Sequence, residues 1–161
     1  MKRIAIDALL AATLTASAVH AEMLGEAAAR AAVAPFYQAL NAEFAKESAD
    51  LVRQATAPDW MSCRSDEVCN SRDEVIAGIG AQLKSVPDLK WQIKDVLVSG
   101  DQVIVRGEAT GTPAGEFFGT PHAGKSFKIM FIDVHTLREG KMVRSYHVED
   151  WIGAVRQLSA N

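Results

Sequence analysis

Hydrophobic residues recur about every 3.6 positions in the first half of the chain, a period that predicts helices. Three segments carry this pattern: residues 22–45, 48–55 and 71–84. The first contains Pro35, which a helix tolerates in its first turn but not in its interior, so its ordered part is expected to begin near Val33. Ser48 is expected to cap the second helix. Ser71 and Glu74 form the sequence pattern of a capping box before the third.

From Leu89 onward the hydrophobic period changes to two, which predicts β-strands. Four segments alternate in this way: residues 89–99, 102–110, 126–138 and 141–148. Short turns at Gly100 and Gly140 join them into two hairpins, and a short helix is expected to follow from Trp151. Helices that precede a run of hairpins predict an α+β fold with an antiparallel sheet.

The alternation also predicts which side chains share a face. In the strand over residues 89–99, Trp91, Ile93 and Leu97 are expected on one face, with Val96 and Val98 on the other. Along the next strand one face carries an apolar set: Val103, Val105, Gly107 and Ala109. Apolar residues on both faces indicate that the sheet covers a core on one side and a second surface on the other.

The strand over residues 126–138 carries the most informative chemistry. One of its faces has six members: Phe127, Ile129, Phe131, Asp133, His135 and Leu137. A carboxylate or an imidazole beside aromatic walls has a perturbed proton affinity, which proton-transfer chemistry requires. From these residues alone, a catalytic His135 and a structural histidine with satisfied hydrogen bonds fit equally well.

The end of the last strand holds a second group of polar side chains. Asp150 directly precedes the terminal helix, where an aspartate commonly serves as the N-cap, so a capping role is the alternative to a catalytic one. Tyr146 and His147 are neighbours, so only one of them can face a pocket.

Three stretches resemble a known family: TGTPAGEFFGTPHAGKSF, FIDVHTLREGKMV and YHVEDW. In this order they are similar to the SnoaL-like polyketide cyclases, also called ester cyclases. These belong to a superfamily with nuclear transport factor two, ketosteroid isomerase and scytalone dehydratase. The resemblance covers residues 33–158 and implies a cone-shaped, curved antiparallel sheet wrapped over the N-terminal helices and enclosing a pocket. It also implies a homodimer formed through the convex face of the sheet.

The resemblance implies roles for individual residues. Asp150 matches the family's acid/base, and His135 matches the histidine that assists it. Tyr146 stands where the family has a tryptophan that lines the pocket, so Tyr146 rather than His147 is expected to face inward. Other pocket residues expected from the sequence are Asp133, Phe131, Trp60, Phe118 and Trp151, with His122 at the mouth. The alternative for the aromatics Trp60, Phe118 and Trp151 is a plain core position, and the alternative for His122 is an exposed loop residue.

Residues 1–21 have the basic start, apolar run and small-residue end of a secretory signal peptide. Cleavage after Ala21 would leave one domain, residues 22–161, in the periplasm or outside the cell. A retained anchor is the alternative, but the run is too short to span a bilayer, so no membrane insertion is expected after cleavage. Cys63 and Cys69 are the only cysteines, and in an exported protein they are expected to pair. The alternative is a redox or metal pair.

The formal net charge of −3 gives no nucleic-acid footprint. No phosphate loop, dinucleotide fingerprint or serine-nucleophile motif occurs, and the spacing of histidines and acids predicts no metal site. We therefore expect cofactor-independent acid/base chemistry on a small hydrophobic carbonyl compound. The alternative is non-catalytic binding of a small hydrophobic ligand in the same pocket. Export makes a polyketide intermediate an unexpected substrate.

Overall fold

In the computed structural model, which describes residues 25–121 and 123–160, six strands form one curved sheet with helices on its concave side. The helices are α1 (Glu26–Ala39), α2 (Ser48–Ala55), α3 (Arg72–Ser85) and α4 (Trp151–Ser159). The strands are β1 (Thr56–Cys63), β2 (Cys69–Ser71), β3 (Lys90–Ser99), β4 (Gln102–Gly111), β5 (Phe127–Arg138) and β6 (Lys141–Glu149). The expected signal segment 1–21 and His122 lie outside the described residues. The α+β prediction is confirmed.

Helix α1 begins at Glu26, seven residues before the expected start at Val33, and runs through Pro35. Packing explains the difference. Ala29 and Val33 are both completely buried, so the turns before the proline are anchored in the core. The helix ends at Ala39, and only a short 3₁₀ turn follows within the stretch predicted as helical.

The two predicted caps have different outcomes. Ser48 is the first residue of α2 and makes no capping bond, because Glu47 holds the N-cap position. The capping box at α3 is confirmed. The Ser71 backbone N–H donates to the Glu74 carboxylate at 2.7 Å, and the Glu74 N–H donates to the Ser71 hydroxyl at 3.5 Å.

The sheet order is β2-β1-β6-β5-β4-β3. The hairpins β3–β4 and β5–β6 are antiparallel, as predicted. Strand β1 is the exception, since it lies parallel to β6, so the sheet is mixed rather than wholly antiparallel. From the sequence, β1 and β2 read only as a short extended segment and a polar turn. Cys63 and Cys69 form a disulfide across this strand pair, which confirms their predicted pairing.

A β-bulge at Lys94 changes the inward face of β3. The register passes from Ile93 opposite Gly107 to Asp95 opposite Arg106, which leaves Lys94 as the extra residue. Beyond the bulge Val96 is buried, while Leu97 is 65% exposed. The expected face with Trp91, Ile93 and Leu97 together is therefore wrong, because one inserted residue reverses the alternation.

Along β4 and β5 the predicted inward faces are confirmed, since every second residue from Val103 to Ala109 and from Phe127 to Leu137 is buried. Gly107 serves a packing purpose on this face. A Cβ at that position would lie 2.1 Å from the Phe131 ring, so only glycine lets the ring lie across β4. None of the helices in residues 25–121 and 123–160 has the length and apolar character needed to cross a bilayer.

Candidate functional site

A cavity of about 390 Å³ opens between the concave face of the sheet and the helices. Its apolar wall includes Phe36 and Leu40 of α1, Ile79 of α3, Trp91 of β3 and Trp151 of α4. Polar side chains enter it from β1, β2, β5 and β6. A concave apolar site with a few convergent polar groups is the usual form of a small-molecule site.

A second β-bulge, at Val143, decides which side chains of β6 enter the cavity. Leu137 pairs with Met142, and Thr136 pairs with Arg144, so Val143 is the extra residue. Beyond it, His135 faces Ser145, Asp133 faces His147 and Phe131 faces Glu149. These three β6 residues share the concave face, and all three line the cavity: Ser145, His147 and Glu149. Without the bulge, the two-residue turn would have placed Tyr146 opposite Asp133.

Tyr146 therefore points away from the cavity, and the expectation that it faces inward is wrong. It pairs with Val134 on the convex face, where its hydroxyl lies 3.3 Å from the Arg144 guanidinium. His147 takes the inward position instead.

A chain of buried hydrogen bonds crosses the floor of the site. Trp60 Nε1–H donates to the Ser145 hydroxyl at 2.9 Å, and Ser145 lies 2.7 Å from His135 Nδ1. His135 Nε2 is 2.8 Å from the Tyr37 hydroxyl, which donates to Asp133 Oδ2 at 2.5 Å. The chain thus links three strands and helix α1 through five side chains.

The direction of this chain follows from its ends. An indole N–H can only donate, so Ser145 accepts from Trp60 and its own proton is free for His135 Nδ1. The Tyr37 proton points to Asp133, which leaves His135 Nε2–H as the donor to the Tyr37 oxygen. This is a neutral imidazole. Burial, and next the charge of His147, lower the pKa of His135 to about 3, in agreement with that assignment.

Asp133 is the acid at the end of the chain, and it lies on the cavity wall. Tyr37 holds its Oδ2, while its buried Oδ1 has no hydrogen-bond partner among the described residues. Burial raises the pKa of Asp133 to about 7; the charge of Glu149 adds to the rise, while the Tyr37 hydrogen bond and the charge of His147 oppose it. A carboxyl group with a pKa near neutrality can both accept and donate a proton at physiological pH.

His147 stands beside Asp133 as a second titratable group. Its Nδ1 lies 2.8 Å from Glu149 Oε1, and its side chain is 23% exposed. Burial by itself lowers the pKa of His147, but the hydrogen bond and charge of Glu149 and the charge of Asp133 outweigh it and raise the pKa overall. The imidazolium form is thereby favoured, and it is a hydrogen-bond donor at both ring nitrogens.

Asp150 does not line the cavity. Its side chain accepts the Gly153 N–H at 2.8 Å as the N-cap of α4, the alternative that its position suggested. His135 lies in the hydrogen-bonded network of the site, and the structure does not bring Asp150 into it. The acid beside this histidine is Asp133, whose Oδ2 lies 4.0 Å from His135 Nε2.

The predicted aromatic residues divide between wall and core. Phe118, 65% exposed, and Trp151 line the cavity. Trp60 is fully buried and contributes its indole N–H to the network. Phe131 is core, stacked against Tyr37 with ring centroids 5.5 Å apart. His122 lies outside the described residues.

Sequence reasoning missed Tyr37, Ser145 and Glu149 as site residues. Tyr37 was detectable, because it falls on the apolar stripe of α1 with Val33 and Leu40, where a polar tip needs a buried partner. Ser145 and Glu149 were hidden by the Val143 bulge.

Within residues 25–121 and 123–160, no three His, Cys, Asp or Glu side chains are grouped so that they could hold a metal ion. Fold and site together define an α+β cone whose aromatic cavity is lined by two titratable side chains, Asp133 and His147. Residues 31–158 match the family model of the SnoaL-like polyketide cyclases. The chain therefore belongs to the SnoaL-like polyketide cyclase family, within the nuclear transport factor two-like superfamily.

Solved structures share this fold. A proposed SnoaL-like polyketide cyclase from Jannaschia sp. CCS1 is 22% identical with a TM-score of 0.71, over 84% of this chain and 94% of that one. IdmH, a proposed polyketide cyclase from Streptomyces antibioticus, is 23% identical with a TM-score of 0.72, over 82% and 99%. AclR, a proposed hydroxylase from Streptomyces galilaeus, is 21% identical with a TM-score of 0.70, over 85% and 84%. These identities establish the fold alone. No curated protein matches the chain.

Proposed function

We propose that this protein is a cyclase- or isomerase-type enzyme that carries out cofactor-independent acid/base chemistry on a small hydrophobic carbonyl compound. The observation that carries the proposal is Asp133, a cavity-wall carboxyl group with one oxygen held by Tyr37 and the other unpartnered among the described residues. Membership of the SnoaL-like family supports this class of reaction. The aromatic wall supports an apolar substrate.

In the proposed step, the Asp133 carboxylate removes a proton from the carbon next to the substrate carbonyl. The C–H electron pair forms the new C=C bond, and the carbonyl π electrons move to oxygen. His147, directly opposite Asp133 in the β5–β6 register, donates a hydrogen bond to that developing oxyanion. In a β,γ-unsaturated substrate, return of the proton from Asp133 to the γ-carbon of the dienolate isomerises the substrate. In a substrate with a second carbonyl group, attack of the enolate carbon on that group closes a ring, and the new alkoxide takes the proton from Asp133.

The hydrogen-bond chain positions Asp133 and does not contact the substrate in this proposal. Its members are Tyr37, His135, Ser145 and Trp60. Their hydrogen-bond chain ends on Oδ2, so it fixes the carboxyl group in one rotamer and leaves Oδ1 as the reacting oxygen. This proposal replaces Asp150 by Asp133 as the acid/base and keeps His135 as a positioning residue.

The test is deuterium exchange at the α-carbon of a simple apolar ketone, 2-tetralone, in D₂O, followed by proton NMR. The wild type should accelerate exchange over buffer, and Asp133→Asn should remove about 100-fold or more of that acceleration, the scale of a lost general base. Asp150→Asn, which retains capping ability at α4, should exchange like the wild type.

Two results would count against the proposal. If Asp150→Asn loses exchange while Asp133→Asn keeps it, the family-implied role of Asp150 is correct and the Asp133 mechanism is wrong. If the wild type binds the ketone without accelerating exchange, the cavity serves binding alone, and the non-catalytic alternative holds.

We also propose that residues 1–21 direct export, which places the 22–161 domain in the periplasm or outside the cell. The Cys63–Cys69 disulfide supports an oxidising compartment. A homodimer through the convex face of the sheet is supported by exposed apolar side chains there. The most exposed are Leu97, Met130, Ile132 and Val148.

A further inference from the structure

Three hydrogen-bond donors gather at the β1–β2 end of the cavity. Ser62 pairs with Asn70 across the two strands, so their side chains lie side by side on the same face. Arg64 is two residues beyond Ser62 and reaches the cavity rim. All three line the cavity.

None of these donors is used within the described part of the chain. The side chains of Ser62, Arg64 and Asn70 make no hydrogen bond or ion pair with residues 25–121 or 123–160, although Ser62 is only 6% exposed. The mechanism proposed for Asp133 does not use them either. A group of unused donors on a cavity wall fits a ligand group that offers acceptors.

The charged side chains that line the cavity indicate which charge that ligand group carries. Each of its acids already has a favourable partner: Glu149 has His147, Glu74 has the Ser71 N–H, and Asp133 has Tyr37. Arg64 is the cavity's remaining charged group among the described residues, and its guanidinium has no acid within ion-pair distance there. Arg64 and His147 line the same cavity, and the charge of Arg64 acts to lower the pKa of His147.

The backbone around Arg64 is held firmly for an exposed turn. The Cys63–Cys69 disulfide closes the turn at its base, and the Arg64 N–H donates to the Val68 carbonyl at 2.9 Å. Ser65 adds a hydroxyl that accepts the N–H groups of Glu67 and Val68. Such a pinned turn reduces the entropy lost when Arg64 orders around a ligand.

We infer that Ser62, Arg64 and Asn70 form a carboxylate subsite, so the ligand is a small apolar compound that carries a carboxylate at one end. Ser62 pairs with Ser145, and Ser145 pairs with His135, so the subsite lies two strands from the strand that bears Asp133. Two strand spacings are about 10 Å, which sets the distance between the carboxylate and the reacting carbon. The reacting part of this inference rests on the function proposed for Asp133; the binding part does not.

The experiment compares two probes of nearly the same shape, the anionic 2-naphthylacetate and the neutral 2-naphthylacetamide, by isothermal titration calorimetry on the wild-type protein. The acid should bind about tenfold tighter or more, because a charge-assisted contact to a guanidinium is stronger than a neutral one. Arg64→Gln keeps donor groups and removes the charge, so the preference should fall to below about threefold. The matched control is Arg156→Gln, an exposed arginine of α4 away from the cavity lining, which should retain the full preference.

Equal binding of acid and amide to the wild type would overturn the subsite, and so would failure of the acid to bind. A preference that survives Arg64→Gln, or that disappears equally in Arg156→Gln, would also overturn it, because the charge would then act from elsewhere. Failure of the proposed reaction is seen separately in the Asp133→Asn exchange experiment and leaves this comparison unchanged. Loss of the preference in Arg64→Gln with amide binding intact supports the subsite.

Discussion

Replacing Asp133 by asparagine should stabilise the protein at alkaline pH relative to the wild type. Asp133 is 3% exposed, and burial raises the pKa of its carboxyl group from 3.8 to about 7. Its charged form is therefore less favourable in the folded protein than in the unfolded chain. Asparagine has nearly the same shape and can still accept the Tyr37 hydrogen bond, but it carries no charge at any pH.

The magnitude follows from linkage between protonation and folding. A rise in pKa from 3.8 to about 7 corresponds to roughly 4 kcal/mol of folding free energy at about 1.36 kcal/mol per pH unit. The pKa of Asp133 is higher in the folded protein than in the unfolded chain. Its contribution to stability is therefore fully present below pH 3.8 and is lost as the pH rises to about 7. The free energy of unfolding of Asp133→Asn minus that of the wild type should therefore increase by about 2–4 kcal/mol between pH 4 and 8.5. The variant is also destabilised by about 1–3 kcal/mol at every pH, because its amide NH₂ replaces Oδ1 at a buried position without a hydrogen-bond partner.

The assay is urea unfolding followed by circular dichroism at several pH values for both proteins. His135 works in the opposite direction, because its pKa is lowered to about 3 and the stability it gives above pH 6.5 is lost as pH falls. Both proteins contain His135, so its contribution largely cancels in the difference. Asp66→Asn removes an exposed carboxylate and controls for net charge. A difference that stays constant within about 1 kcal/mol across this range would refute the buried, raised-pKa carboxyl group.

Two further predictions concern the exported form and its assembly. The protein recovered outside the cytoplasm should begin at Glu22, and an intact mass equal to that of the full 161-residue chain would contradict this. When it is denatured without reductant, thiol labelling should find no free thiol at Cys63 or Cys69, and two labelled cysteines would contradict the disulfide. Sedimentation should show a homodimer at micromolar concentration, and Val148→Lys on the exposed convex face should give a monomer. A wild type that sediments as a single chain of 17.4 kDa or less would contradict the dimer.

The sequence predicts those elements whose pattern is local. The alternation along β5 correctly placed Asp133 and His135 on one buried face, because no bulge interrupts that strand's pairing with β4. The capping box at Ser71 was predictable for the same reason, since both of its hydrogen bonds connect residues three positions apart.

Features that depend on distant partners could not be predicted in this way. Strand β1 gains its identity from parallel pairing with β6, more than 80 residues later, and shows little alternation of its own. The Tyr37–Asp133 hydrogen bond spans 96 positions, so the apolar stripe around Tyr37 indicates a buried partner for its hydroxyl but not which residue that partner is. Asp150 shows the opposite case. Its position before α4 predicted the observed capping bond from the Gly153 N–H, whereas the family resemblance implied a catalytic role.

The extra residue at Val143 makes the composition of the cavity depend on strand register as well as on residue type. If Val143 paired regularly with Thr136 instead of bulging, the two parities of β6 would be exchanged, so that a cationic and phenolic set, Arg144 and Tyr146, would replace Ser145 and His147 inside. Among relatives, the gain or loss of a bulge in this hairpin is thus a route to new pocket chemistry without any substitution. Two aligned residues of this strand are therefore structurally equivalent only if both proteins have the same bulges after the turn. Without that, identical residues at aligned positions can face opposite sides of the sheet.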